Sequence, residues 1–293
     1  MKPLKSMSNM KRVLSLPRKV HGRIFKKAKL KVKETTLFPY LQKEERSPIL
    51  PDITSIMSFK NKYKGNRCFV IGNGPSLNKL DLSKLENEFT FAVNGIFYKT
   101  DEIGFRPTFF MVEDSHVIKD NLERINKFSP KIHKFFPTEY KELLSNHANT
   151  SFFKMNRGFY EATSPNFRIP RFSTDFALKG YCGQSVTMLN LQLAFYMGFS
   201  EVYLIGMDFS YAIPDTAIVK GLNIESTEDD VNHFHPEYFG KGKKWHDPQL
   251  EQVLKNYELA KLVYESDGRK IYNATFGGNL HLFERAGFKN LFK

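Results

Sequence analysis

The sequence predicts an α/β fold: a parallel sheet with flanking helices, an inserted lid and a basic N-terminal extension. Two observations carry this expectation. Short apolar, β-prone runs alternate with segments of helical period, and each run delivers polar residues at its end. Parallel strands arranged in this way open their carboxyl ends onto a common crevice. The chain has 293 residues, of which 41% are hydrophobic and 26% charged, and it includes 28 Phe and 13 Tyr. That supports a substantial core and excludes both a disordered polymer and a multi-span membrane protein.

Residues 1–60 lack sustained periodicity, apart from a short element around Ile49–Met57, and read as an extension; the compact body is placed at residues 61–293. Its first strand, Cys68–Ile71, stops at the turn residues Gly72–Ser76. Phe89–Val93 ends at Asn94-Gly95, and Thr108–Val112 ends at Glu113-Asp114. Ser115–Lys127 reads as a helix capped by Ser115, Lys131–Phe136 as a strand and Thr138–Ser145 as a helix. In Gln184–Met197, Val186, Leu189, Leu193 and Tyr196 recur at helical spacing, with Gly198 as the stop. Val202–Ile205 is a buried strand opening onto Gly206, Met207 and Asp208. Pro248–Ser266 forms a long helix, Lys270–Tyr272 a last strand and His281–Ala286 a closing helix. The polar, aromatic segment between Ser210 and His246 has no clear period, and a connector of that length reads as a lid over residues 210–247.

The net charge of +13 is unevenly placed. Twelve Lys or Arg and no acid fall in residues 1–33, whereas residues 34–60 sum to −1 and residues 61–293 to +2. A nearly neutral body gives no reason to expect nucleic acid. The arm, with Met1, Leu4, Met7 and Met10 among its apolar residues, suits either solvation or contact with an anionic membrane. No apolar run approaches the roughly 20 residues that span a bilayer, and no secretory h-region is present, so the expected site is cytoplasmic, peripheral to the inner membrane face if the arm binds there. Cys68 and Cys182 show no CxxC or zinc spacing and read as reduced thiols. A homo-oligomer stays open.

The strongest short motif is Gly72-Asn73-Gly74-Pro75-Ser76-Leu77, whose glycines let backbone approach a ligand phosphate. It lacks the Gly-Lys-Ser/Thr of a Walker loop and the last glycine of the dinucleotide fingerprint. Asn73 and Asn94 can hydrogen-bond phosphate, ribose or base, or else complete turns. Glu113 and Asp114 suit sugar hydroxyls or a base; two adjacent acids do not define a metal site, and none is expected. Asp208 either faces the ligand or holds the Ser210 loop through backbone amides. Tyr211 and Tyr238, with Lys241 or Lys243, suit a departing phosphate. His233, His235 and His246 are candidates for a general base, while their spacing does not match zinc ligation.

The order of the Gly72–Leu77 loop, Asn94-Gly95, Gly183 before a long helix, and Val202–Phe209 resembles bacterial sialyltransferases of the Campylobacter lipooligosaccharide type over roughly residues 67–272. The resemblance implies a Rossmann-like fold, a CMP-sugar donor, a mobile lid and a histidine base, with Asn73 and Asn94 in the donor site. Glu113 falls where that family has an asparagine, Lys179 near a basic residue ahead of the helix, and Ser210 where it has a phosphate tyrosine, for which Tyr211 is the substitute. His235 ranks first as base, His233 second and His246 third. These departures leave sialic acid, Kdo and related nonulosonic acids open as the transferred sugar, and a glycan or glycolipid as acceptor.

A closer likeness, through His233-Phe234-His235-Pro236, Phe239–Lys243 and Tyr272–Thr275, is to bacterial MptE-like (DUF115) proteins. It implies a rival reaction, diphosphate transfer from ATP to a pterin alcohol with magnesium. A third reading is a non-catalytic glycan or membrane adaptor. Apart from the donor, no cofactor is expected under the first reading.

Overall fold

The computed structural model describes residues 51–145 and 148–293. The basic arm, and the membrane contact expected of residues 1–33, lie outside the described residues.

The architecture is the α/β, Rossmann-like one expected. Strands β1 (Arg67–Ile71), β2 (Thr90–Val93), β3 (Phe109–Met111), β4 (His133–Pro137), β5 (Thr150–Phe153), β8 (Glu201–Ile205), β12 (Lys270–Asn273) and β13 (Glu284–Arg285) form an eight-stranded sheet in the order β13-β12-β8-β1-β2-β3-β4-β5. Every adjacent pair in it is parallel. Strand order reverses at β1, which lies between β2 and β8, and a doubly wound sheet opens its crevice at such a point. Strands covered on both faces need continuous apolar sequence rather than alternation, and β2 and β3 are buried along their whole lengths.

Helices cover both faces. α1 (Pro51–Met57) leads into Phe59, whose ring packs edge-on against Phe109 and Phe135, and Ser55 Oγ donates to Ser151 Oγ at 2.9 Å. α2 (Phe97–Ile103), α3 (Ser115–Asp120) and α4 (Leu122–Lys127) follow β2 and β3. α5 (Val186–Met197) is buried all round, all twelve of its residues being inside, Thr187, Asn190 and Gln192 included. Ser185 caps its start by accepting from Thr187 N, and Gly198 ends it in a left-handed turn. α6 (Leu250–Ser266) crosses it, with Tyr264 donating to the Leu191 carbonyl at 2.7 Å.

Three expectations need correction. The helix read over Ser115–Lys127 is broken at Asn121, and its cap is Asp114, which accepts from His116 N and Val117 N. Thr138–Leu143 is a 3-10 segment, and β5 behind it follows no anticipated signal. His281–Ala286 contains strand β13 in place of a helix, because Tyr272 and Asn273 offer it an open parallel edge. The segment read as a lid holds a small antiparallel sheet of β9 (Ile218–Lys220), β10 (Asn223–Glu225) and β11 (Lys244–His246), while β6 (Met155–Asn156) and β7 (Gly180–Tyr181) pair apart from both sheets. None of the described helices is long and apolar enough to cross a membrane.

Phe110 is fully buried on β3 against the rings of Phe128 and Phe136. Phe110→Ala should lower unfolding free energy by about 3–5 kcal/mol in a denaturant titration.

Candidate functional site

The loops after β1 and β8 are joined edge to edge. Gly72 N donates to the Ile205 carbonyl at 2.8 Å and Gly74 N to the Gly206 carbonyl at 2.9 Å. This approach tolerates no side chain: a methyl on Gly72 would meet the Gly206 carbonyl, and one on Gly74 would collide with Asp208 Oδ2. Asp208 accepts from Ser76 N at 3.2 Å and from Ser76 Oγ at 2.7 Å, so it fastens the glycine loop just as Pro75 opens a 3-10 turn. The loop that its carboxylate ties is that of Gly72–Ser76, not the Ser210 loop weighed for it from the sequence.

These loops floor a cleft of about 140 Å³. Its walls are Asn73, Asn94, the Gln184-Ser185 turn and the first residues of α5, Gly206–Tyr211, the lid residues Asn232, His233 and Tyr238, and the start of α6. Asn73 Nδ2 donates to the Val93 carbonyl at 3.0 Å and to Tyr238 Oη at 2.9 Å. Asn94 sits in the left-handed region at φ 50°, which turns the chain sharply off β2. The side-chain carbonyls of Asn73 and Asn94 are both buried without a protein partner, leaving two acceptors in the wall for a donating ligand. The Tyr238 ring lies against Gly95, and its burial raises the phenol pKa, so it stays protonated. The first-turn amides of α5 add the positive end of a helix dipole. No Lys or Arg among the described residues lines the cleft.

The lid brings one imidazole to this wall. His233 Nδ1 lies 2.7 Å from Asp230 Oδ2, its Nε2 lies 3.3 Å from Tyr211 Oη, and its ring stacks on Tyr238 at 4.0 Å. His235, ranked first from the sequence, points elsewhere: it stacks on Tyr98 at 4.1 Å, with Nε2 3.8 Å from Glu102 Oε1. Two residues apart in a non-helical segment, these histidines face opposite ways. His246 is on β11, with Nδ1 3.2 Å from Asp114 Oδ2, an interaction that raises its pKa against the effect of burial. Lys241 is exposed and Lys179 half-buried, and neither lines the cleft. Lys243 is spent on Tyr98 Oη and the Glu237 carbonyl.

Glu113 also lies off the wall, buried at the end of β3 beside Tyr160. Burial, aided by the charge of Asp114 and opposed by Arg157, pushes its pKa up to about 7. The structure thus gathers Gly72, Asn73, Gly74, Asn94, Asp208, Tyr211, Tyr238 and His233 around one space, and leaves Pro75, Ser76, Glu113, Asp114, Lys179, His235, His246 and Lys241 outside its lining. Sequence reasoning missed Asn232, which clamps Ala212 through both its amide atoms, and the Gln184-Ser185 turn, where Gln184 takes a positive φ. An Asp three residues ahead of a His was the available signal for Asp230.

This is a Rossmann-like protein whose cleft sits at the carboxyl ends of parallel strands. The family model described as "6-hydroxymethylpterin diphosphokinase MptE-like" matches residues 47–214, and the chain belongs to that MptE-like family. Among solved structures, the MAf glycosyltransferase from Magnetospirillum magneticum AMB-1 is similar, with a TM-score of 0.44 and 13% identity over 80% of this chain and 38% of that one. The present chain therefore spans well under half the length of that protein. No match was found among curated proteins.

Gly74→Ala should dislodge Asp208 from Ser76 and weaken ligand binding in the cleft, read by calorimetry. Glu113 gives a pH prediction. Its raised pKa means the folded chain keeps a proton that the unfolded chain releases between pH 4.5 and about 7, so its contribution to stability falls as pH rises through that window. Glu113→Gln should therefore gain stability over wild type above about pH 7 and show no gain well below pH 4.5, measured by denaturation across pH.

Proposed function

We propose that this chain is a glycosyltransferase that moves an acidic sugar (sialic acid, Kdo or a related nonulosonic acid) from a CMP donor to a hydroxyl of a glycan or lipid-linked saccharide. The observation carrying this reading is a cleft wall of hydrogen-bonding groups with no Lys or Arg among the described residues and with one carboxylate-paired imidazole. His233 Nε2 takes the acceptor proton as the acceptor oxygen bonds to the anomeric carbon. The bond from that carbon to the phosphate oxygen breaks, and its electron pair leaves with CMP. The α5 amides and the Tyr211 and Tyr238 hydroxyls face the charge that develops there. Asn73 and Asn94 offer their free carbonyls to ribose hydroxyls or the cytosine amine. The role expected of His235 passes to His233, because His233 is the histidine on the wall.

The family's diphosphokinase description supplies the second reading, and the residues present fit it less well. Diphosphoryl transfer from ATP, with AMP leaving, recruits magnesium and cationic side chains. The one carboxylate on the wall, Asp208, is engaged by Ser76, and no lysine or arginine among the described residues accompanies it. Among the described residues, no group of three or more His, Cys, Asp or Glu is placed to hold a metal. A CMP-sugar, with one phosphodiester charge and the sugar's carboxylate, brings less negative charge to such a wall than a triphosphate does. The Asp230–His233 pair favours turnover over the adaptor reading. In this proposal residues 1–33 hold the enzyme beside an anionic membrane bearing its acceptor. The cleft is smaller than the roughly 300–1,000 Å³ of ligand pockets, so the lid moves to admit the donor.

The test is a panel of CMP-sialic acid, CMP-Kdo, UDP-glucose and ATP, with binding followed by calorimetry and products by mass spectrometry. CMP release from an acidic CMP-sugar is expected; selective ATP-dependent diphosphorylation of a pterin would refute the proposal. His233→Ala should cut transfer by about 10²–10⁴-fold with donor binding largely kept, whereas His235→Ala should stay near wild type.

A further inference from the structure

We infer that Asp230 is the positioning residue of this site: its carboxylate fixes the His233 ring with the proton on Nδ1, leaving Nε2 bare toward the cleft. The identity of the acceptor rests on the glycosyl-transfer reading, but the placement of the proton does not.

The carboxylate is itself held. Its side chain is 3% exposed. Oδ2 accepts from Phe239 N at 2.9 Å while lying 2.7 Å from His233 Nδ1, and Oδ1 accepts from Asn232 N at 2.8 Å. The backbone of Asp230 is anchored too, its N donating to the Pro236 carbonyl at 2.8 Å. An ionised carboxylate can only accept, so the short contact requires a proton on Nδ1. The neutral ring then carries its lone pair on Nε2. Ring rotation is blocked by the Tyr238 stack, with planes 7° apart, and by the Phe239 edge at 5.2 Å.

Nε2 faces Tyr211 Oη at 3.3 Å. An acceptor hydroxyl takes that place once Tyr211, 40% exposed, turns its own hydroxyl to the departing phosphate. When that hydroxyl gives its proton to Nε2, Nδ1 keeps its own, and the imidazolium is paired with Asp230; no proton passes to the carboxylate. A purely structural Asp230, tying the turn through Asn232 and Phe239, would leave the ring's proton distribution unconstrained.

The experiment is long-range ¹H–¹⁵N NMR of histidine-labelled protein, combined with kinetics of CMP release from CMP-sialic acid. Wild type should show His233 in the Nδ1–H form when neutral. Asp230→Asn should shift it toward Nε2–H and lower kcat by about 10²–10⁴-fold with little change in donor KM; Asp230→Glu should restore part of both. A wild-type His233 that is mainly Nε2–H, or a proton distribution unchanged in Asp230→Asn, overturns the inference. Should Asp230→Asn fail to fold, the wild-type spectrum alone decides. If the expected form is present but CMP-sialic acid, CMP-Kdo and ATP all go unused, the transfer reading fails while the role of Asp230 in setting the ring proton stands.

Discussion

The close approach of the loops that follow β1 and β8 is the constraint on which the rest of the site depends. Strands paired along their whole length, from Arg67 opposite Glu201 to Ile71 opposite Ile205, bring two turns to the same level. Gly72 and Gly74 then let the turns bond to each other through backbone alone, and Asp208 locks the result to Ser76. The floor of the cleft is thus made of main chain. A floor of that kind holds its shape because its hydrogen bonds are buried and satisfied, so the adaptable chemistry has to come from elements laid over it.

Those elements come from the lid. Its segment from Asn232 to Tyr238 is stitched to the body at several points: Phe234 N bonds the Asn73 carbonyl, Asn78 Nδ2 the Phe234 carbonyl, and Tyr238 Oη receives the Asn73 amide. Further along, β11 meets Asp114 through His246. The lid therefore reports on both loop tips at once, and Asn73 serves the floor and the lid with one side chain.

Much of the fold was legible because it depends on local pattern. Uninterrupted apolar runs gave β1, β2, β3 and β8, strand character over Lys131–Phe136 gave β4, and the helix-period segments gave α5 and α6 nearly to their ends. The misreadings share a cause. β13 and β5 are strands because a neighbouring edge was open to them, which is a long-range fact that no window of sequence contains. At the site, residues immediately following strands were placed well, since a strand end fixes where its next residues go. Glu113 and Asp114 are the exception, lying two strands from the switch point. The lid was the least legible part: His233 and His235 differ only in which way an irregular segment points them, and composition carries no information on that.

The Tyr238 side chain has one more consequence. Resting on Gly95 and sharing the Asn73 amide, it occupies wall that the donor of the proposed reaction would need. Guest and phenol then compete for the same wall, and any titration reads the guest's intrinsic grip diminished by the fraction of molecules whose ring has already withdrawn. A tight binder and a loosened latch would look alike in such a curve.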